Sequence, residues 1–161
     1  MKAVTHSEKE TAQIAENLAP SLKSGDIILL HGTLGMGKSV FARALIRKLT
    51  GQADLDVPSP TFTLVQLYES RSFPIHHYDL YRIEEPEEIL QLGWEDSLAE
   101  GIVIVEWPER LGPYKPTARL DITLSAIDND DNAQYVNLVS ISPHSSPYVV
   151  GSGKLGVRAV Q

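Results

Sequence analysis

Apolar and small residues recur along the first third of the chain in two different rhythms. Between Ser7 and Leu18, Thr11, Ile14, Ala15 and Leu18 have the spacing that shares one helix face, and Ser7 with Glu10 matches a capping box at its start. Pro20 and Gly25 end that segment. "DIILLHG", residues 26–32, is instead a short unbroken apolar run between turn residues, which predicts a buried strand of a parallel sheet. The helical rhythm returns in Val40, Phe41, Ala44, Leu45 and Leu49, with Gly51 placed to cap it.

Further along, "VPSPTFTLVQLYES" predicts a proline-stiffened loop and then a strand over 62–68, from the alternation of Phe62 and Leu64 and, less regularly, Leu67. "FPIHHYDLYRIEEPEEILQLGWEDSLAEG" predicts a short strand ending near Asp79, then an acidic helical stretch with Pro86 at a helix start. "IVIVEWPER" predicts a second buried strand, this one ending on the carboxylate of Glu106. "RLDITLS" and "QYVNLVSIS" alternate on either side of the polar "IDNDDNA", the pattern of an antiparallel hairpin. The end of the chain is rich in Ser, Gly and Pro, so a single domain is expected over residues 1–145 and a flexible tail over 146–161.

With 161 residues, 42% hydrophobic and 22% charged, the chain has the size and composition of one globular domain. It contains no cysteine, which excludes disulfides and thiolate metal sites. No stretch approaches the roughly 18 apolar residues of a membrane span, and "MKAVTHSEKETAQ" lacks a secretory apolar core, so the cytoplasm is the expected compartment. A net charge of −7 repels nucleic acid and disfavours direct RNA or DNA binding.

The chemistry centres on the junction between the buried strand and the second helix. Gly32-Thr33-Leu34-Gly35-Met36-Gly37-Lys38-Ser39 satisfies G-x-x-x-x-G-K-[ST] without a mismatch, a chance event on the order of one in a few hundred for such a chain. Its position after a predicted strand and at the opening of a predicted helix is what the motif's physics needs. The loop wraps a phosphate with backbone N–H groups, which excludes side chains at Gly32 and Gly37. The helix N-terminus faces the anion, Lys38 reaches the β- and γ-phosphates, and Ser39 supplies a hydroxyl to Mg2+. The expected nucleotide contacts therefore run from Gly32 to Ser39 and on to Val40 in the first helical turn. The implied fold class is α/β and P-loop NTPase-like, with a mostly parallel central sheet flanked by helices and a C-terminal antiparallel hairpin.

Such a site needs a carboxylate at the end of a neighbouring strand. Glu106 and Asp79 both qualify, and both would emerge at the carboxyl edge of the sheet. Ser59, Thr61 and Thr63 lie in the loop held by Pro58 and Pro60, which is placed to contact the γ-phosphate and respond to its loss. His76 and His77 lack a third ligand at metal spacing, so packing or hydrogen bonding of one ring is expected. "DNDDN" opens like a calcium loop, but Ala133 and Val139 stand where glycine and glutamate belong, and it reads as a turn. Glu84, Glu85, Glu87 and Glu88 read as a solvated helix face, and Trp94 and Trp107 as packing residues in or near the core.

In this order and in one short chain, "GTLGMGKS", "SPTFTLV", "HYDLYR", "LGWED" and "VEWPER" resemble the bacterial TsaE family, formerly YjeE, over about residues 7–125. That family is the ATPase component of tRNA threonylcarbamoyladenosine biosynthesis. The resemblance implies ATP and Mg2+ as cofactors, Thr33 to Ser39 as the phosphate cradle, and Ser39 and Glu106 as metal ligands. It implies Asp79 as the second essential carboxylate, also at the metal, and Thr61 as a switch-loop residue; Lys38, Thr61, Asp79 and Glu106 are then the catalytic set. Family members commonly carry an acidic residue at Thr33, Ala at Met36 and Thr at Ser39, and serine keeps the metal-binding hydroxyl. The implied partners are the TsaD and TsaB subunits of the threonylcarbamoyl transferase, with tRNA contacted indirectly through them and hydrolysis weak until they activate it.

Two other readings share the P-loop. A small-molecule kinase needs an acceptor pocket and usually an arginine-rich lid, yet only Arg110, Arg119 and Arg158 follow Glu106. A non-catalytic nucleotide-gated interaction module would keep Lys38 and tolerate loss of Asp79 and Glu106, both present here. The guanine-reading N-K-x-D sequence of GTPases does not occur.

Overall fold

A computed structural model describes residues 1–141; the tail expected over 146–161 lies outside the described residues. Strands β1 (Lys2–Thr5), β2 (Ile27–His31), β3 (Val65–Glu69), β4 (Pro74–Asp79), β5 (Ile102–Glu106), β6 (Arg119–Ile127) and β7 (Asp130–Ile141) form one sheet, in the order β1-β7-β6-β2-β5-β4-β3. The middle of the sheet is parallel, through β6–β2, β2–β5 and β5–β4. β6 and β7 form the expected antiparallel hairpin, and β1 and β3 add antiparallel edges.

Each face of the sheet carries its own core. Ile28 and Leu30 of β2 face α1 (Glu8–Leu18) and α2 (Lys38–Thr50), whereas Ile27 and Leu29 face α3 (Trp94–Ala99) and the 3-10 turns around it. That division explains the unbroken apolar run of β2, because both alternating sets are buried, at about 1.5–3 kcal/mol per large side chain. Thr11, Ile14, Ala15 and Leu18 make up the buried face of α1. Ser7 accepts from the Glu10 amide, but the Glu10 carboxylate reaches back to the His6 amide, one residue before the cap. In α2 the buried positions are Lys38, Phe41, Ala42, Ala44, Leu45 and Ile46, while Val40 and Leu49 sit at the margin. Gly51 caps this helix in the left-handed region.

The structure departs from the sequence expectation at four places. β1 was not expected: it is four residues long, too short to show a period, and its partner β7 is far away in sequence. β3 begins at Val65 and not at residue 62, because Phe62 is 84% exposed and Leu64 turns the chain at φ 68°. Pro86 opens a helical segment as expected, but it is a 3-10 helix, Pro86–Leu92, and left-handed Gly93 separates it from α3. The hairpin turn is confined to Asp128 and Asn129, since Ile127 already pairs with Asp130. Trp94 is core, packed edge-on against Tyr78, and Glu84, Glu85, Glu87 and Glu88 are all solvated.

Candidate functional site

The loop between β2 and α2 is shaped by its glycines. A Cβ on Gly32, at φ 147°, would lie 2.6 Å from the carbonyl oxygen of Leu124 in β6, which only glycine avoids. Gly37 precedes α2 in the left-handed conformation, and no side chain caps the helix. The first-turn N–H groups of Lys38, Ser39 and Val40 therefore have no intrahelical acceptor and suit an anion.

Lys38 is 5% exposed, and its ammonium lies inside this loop. Nζ donates to the carbonyls of Gly32 at 2.6 Å and Thr33 at 2.9 Å, and sits 4.1 Å from the ring centroid of Trp107. Burial pushes the Lys38 ammonium below the usual lysine range, while the negative charges of Glu106, Glu109 and Asp79 pull the other way.

The parallel ladder of β4 and β5 sets Asp79 beside Glu106 at the carboxyl edge of the sheet. Both carboxylates are buried and fully engaged. Glu106 Oε1 accepts from Ser39 Oγ at 2.9 Å, and Oε2 is 2.7 Å from His77 Nε2. Asp79 Oδ2 accepts from Ser59 Oγ at 2.7 Å and Thr61 Oγ1 at 3.1 Å, and Oδ1 accepts from the Tyr81 amide at 3.0 Å. The proline-flanked loop is thus tethered to one carboxylate, and the start of α2 to the other.

These groups meet in a cleft of about 450 Å³ lined by Lys38, Ser39, Thr61, Asp79 and Glu106, with Leu34, Gly35, Gly37 and Val40 along its loop side. Gly32, Thr33 and Met36 do not line it: Thr33 is exposed, and Met36 packs against the core. Thr63 is exposed and outside the cleft, and His76 bonds to Glu100 O and Ser97 Oγ. A larger groove of about 570 Å³ runs between α1 and α2, but it reaches neither Lys38 nor the carboxylates.

Among the described residues no group of three or more His, Cys, Asp or Glu could enclose a metal ion. The donors present are a hydroxyl and two carboxylates, all hard oxygens, on residues that line the cleft. That set fits Mg2+, which keeps several waters and is commonly held by one or two protein oxygens plus substrate phosphates.

The sequence did not single out His77 as a partner of Glu106. Its signal was available: it lies two residues before Asp79, so strand alternation puts both on the same face. Trp107, at φ 59°, takes a left-handed turn immediately after Glu106 that lays its ring against Lys38.

Residues 5–135 match the family model described as "Threonylcarbamoyl adenosine biosynthesis protein TsaE". The tRNA threonylcarbamoyladenosine biosynthesis protein TsaE of Rickettsia conorii is 42% identical over 125 residues, 78% of this chain and 71% of the relative. The proteins of the same name from Aquifex aeolicus and Bacillus subtilis are 36% and 34% identical, over 85% and 81% of this chain and 94% and 81% of their own lengths. The crystal structure of B. subtilis YdiB superposes with a TM-score of 0.73 at 26% identity, covering 88% of this chain and 86% of that one.

Proposed function

The chain belongs to the TsaE family, and from that membership we propose that it is the Mg2+-dependent ATP-binding and ATP-hydrolysing component of the tRNA threonylcarbamoyladenosine modification machinery, acting with a TsaD–TsaB complex. The observation that carries this reading is the Ser39–Glu106 hydrogen bond beside Asp79. It puts the last residue of the loop motif and two strand-end carboxylates in one cleft with Lys38.

The loop amides and the N-terminus of α2 bind the phosphates, and Lys38 exchanges its two carbonyl partners for phosphate oxygens. Ser39 and Glu106, with Asp79, are the residues that would hold Mg2+, which would supply positive charge against the charge developing on the phosphate. Asp79 orients the attacking water and takes up hydrogen bonds from Ser59 and Thr61, so the loop that carries them registers the γ-phosphate.

Among the described residues no arginine lines the cleft to complete the charge compensation. Arg82 lies over the exposed Phe62 ring, 5.1 Å from its centroid, Arg43 reaches Val57 O and Arg110 reaches Ile83 O. A cation supplied in trans is worth about 10³ to 10⁵ in rate, so hydrolysis is slow alone and coupled to assembly with the partners. The net charge of −7 leaves RNA contact to those partners. No helix of the described residues is long and apolar enough to cross a membrane, and the proposed compartment is the cytoplasm.

ATP turnover measured alone, with TsaD–TsaB, and with tRNA alone tests the reading. Stimulation by the partner complex is expected. Strong stimulation by bare tRNA, or none by the partners, would move weight to the kinase reading.

A further inference from the structure

The strongest unassigned feature is a buried histidine behind one of the two carboxylates. His77 is 1% exposed and Glu106 is 2% exposed, so their 2.7 Å contact is shielded from water. His77 stands opposite Ile104 in the β4–β5 ladder, one layer below Glu106, and its ring reaches up the same face to Oε2. Its other ring nitrogen, Nδ1, is buried with no hydrogen-bond partner. An ionised carboxylate can only accept, so Nε2 carries a proton; an N–H on Nδ1 would be an orphaned buried donor, so Nδ1 carries the lone pair. The side chain is therefore a neutral imidazole with one useful donor, aimed at one oxygen.

We propose that His77 is a positioning residue for Glu106, pinning Oε2 so that Oε1 alone faces the start of α2 and the metal. This rests on the reading of Ser39 and Glu106 as Mg2+ ligands. The two hydrogen bonds on Glu106 fall on different oxygens. Ser39 would offer the ion a lone pair of Oγ on the Oε1 side, while its O–H can still donate to the carboxylate. The His77 bond lies on the far side and persists, so the carboxylate does not have to search rotamers as the metal arrives. Groups that orient metal-binding side chains in this way are typically worth about 10- to 100-fold in metal affinity or activity.

The test uses His77→Phe, which keeps the ring volume and removes the donor, and His77→Gln, which offers an amide N–H. Binding of a fluorescent ATP analogue is titrated with Mg2+ and repeated in EDTA. For His77→Phe the Mg2+ midpoint is expected to rise about 10- to 100-fold while Mg2+-free binding stays close to wild type, and His77→Gln recovers part of the shift. Equal weakening with and without Mg2+, or no difference between the two variants, would mean a packing role and overturn the proposal. Long-range 15N–1H spectra of the wild-type protein give an independent readout. A protonated Nε2 and bare Nδ1 are expected, and the opposite tautomer contradicts it even if both variants misfold. Glu106→Gln separates the levels: if it leaves the Mg2+ midpoint unchanged, the metal-site reading itself fails and the proposal with it. If it shifts the midpoint and both folded His77 variants do not, only the proposal fails.

Discussion

The two carboxylates at the sheet edge should fail in different ways when each loses its charge. Glu106→Gln replaces two hydrogen bonds to a charged acceptor, from Ser39 and His77, by neutral ones. Bonds to charged groups contribute about 1.5–3 kcal/mol and neutral ones about 0.5–1.5, so the bonds weaken by about 2–3 kcal/mol together. The variant no longer desolvates a buried charge, which offsets a similar amount. The fold should therefore persist, and the loss should appear in the metal: a Mg2+ midpoint for nucleotide binding raised by about 10- to 100-fold, or about 1.4–2.7 kcal/mol. In Asp79→Asn the amide oxygen can still accept from the Tyr81 amide, and the amide N–H groups can turn to Ser59 and Thr61, whose hydroxyls rotate to accept. The loop stays tethered, but the base that orients water is gone, and turnover should fall by about 10² to 10⁴ with a smaller midpoint shift. Mg2+ titrations at fixed nucleotide and single-turnover rates, run on both variants, separate the two. A larger midpoint shift for Asp79→Asn than for Glu106→Gln would reverse the assignment.

Lys38→Ala should abolish nucleotide binding or turnover while the melting temperature stays within about 5 °C of wild type, because the ammonium hydrogen-bonds only within its own loop and adds a single ring contact with Trp107; unchanged hydrolysis would refute the site. Tyr78→Phe tests the opposite core, where the phenol bonds to Leu92 O at 3.2 Å and Ser97 Oγ at 2.6 Å, and the variant should lose about 1–2 kcal/mol at neutral pH. Burial, with Asp96 adding to it and the Ser97 bond opposing, raises the Tyr78 pKa above 10.0, so its stabilisation is full below pH 10 and lost as pH rises through the folded value. Urea unfolding should show the wild-type advantage shrinking above that pH; an advantage that stays constant would show that the phenol does not titrate as described.

What could be read from the chain follows from how local each signal is. The β2–loop–α2 unit was legible, because an apolar run, three glycines and a helical period all point to one arrangement within 25 residues. The hairpin and the strand ending at Asp79 were legible for the same reason. β1 was not, since what makes it a strand is the edge offered by Val136 and its neighbours, not its own four residues. Phe62 misled because alternation is also produced by an exposed loop that turns at Leu64. In the site, the residue types were visible but not their pairing: Ser39 with Glu106, and Asp79 with Thr61, are set by strand register and not by sequence spacing. The His77–Glu106 contact spans 29 positions and depends on the same ladder.

The most direct measurement of the central claim is multiple-round formation of threonylcarbamoyladenosine on tRNA by TsaD–TsaB and their substrates, with this chain as the variable. With wild-type chain and hydrolysable ATP, product should exceed one equivalent per complex, whereas Lys38→Ala or a non-hydrolysable ATP analogue should hold it near a single round. Equal multiple-round product under all three conditions would contradict the proposal that this chain's ATP hydrolysis is coupled to its assembly with those partners.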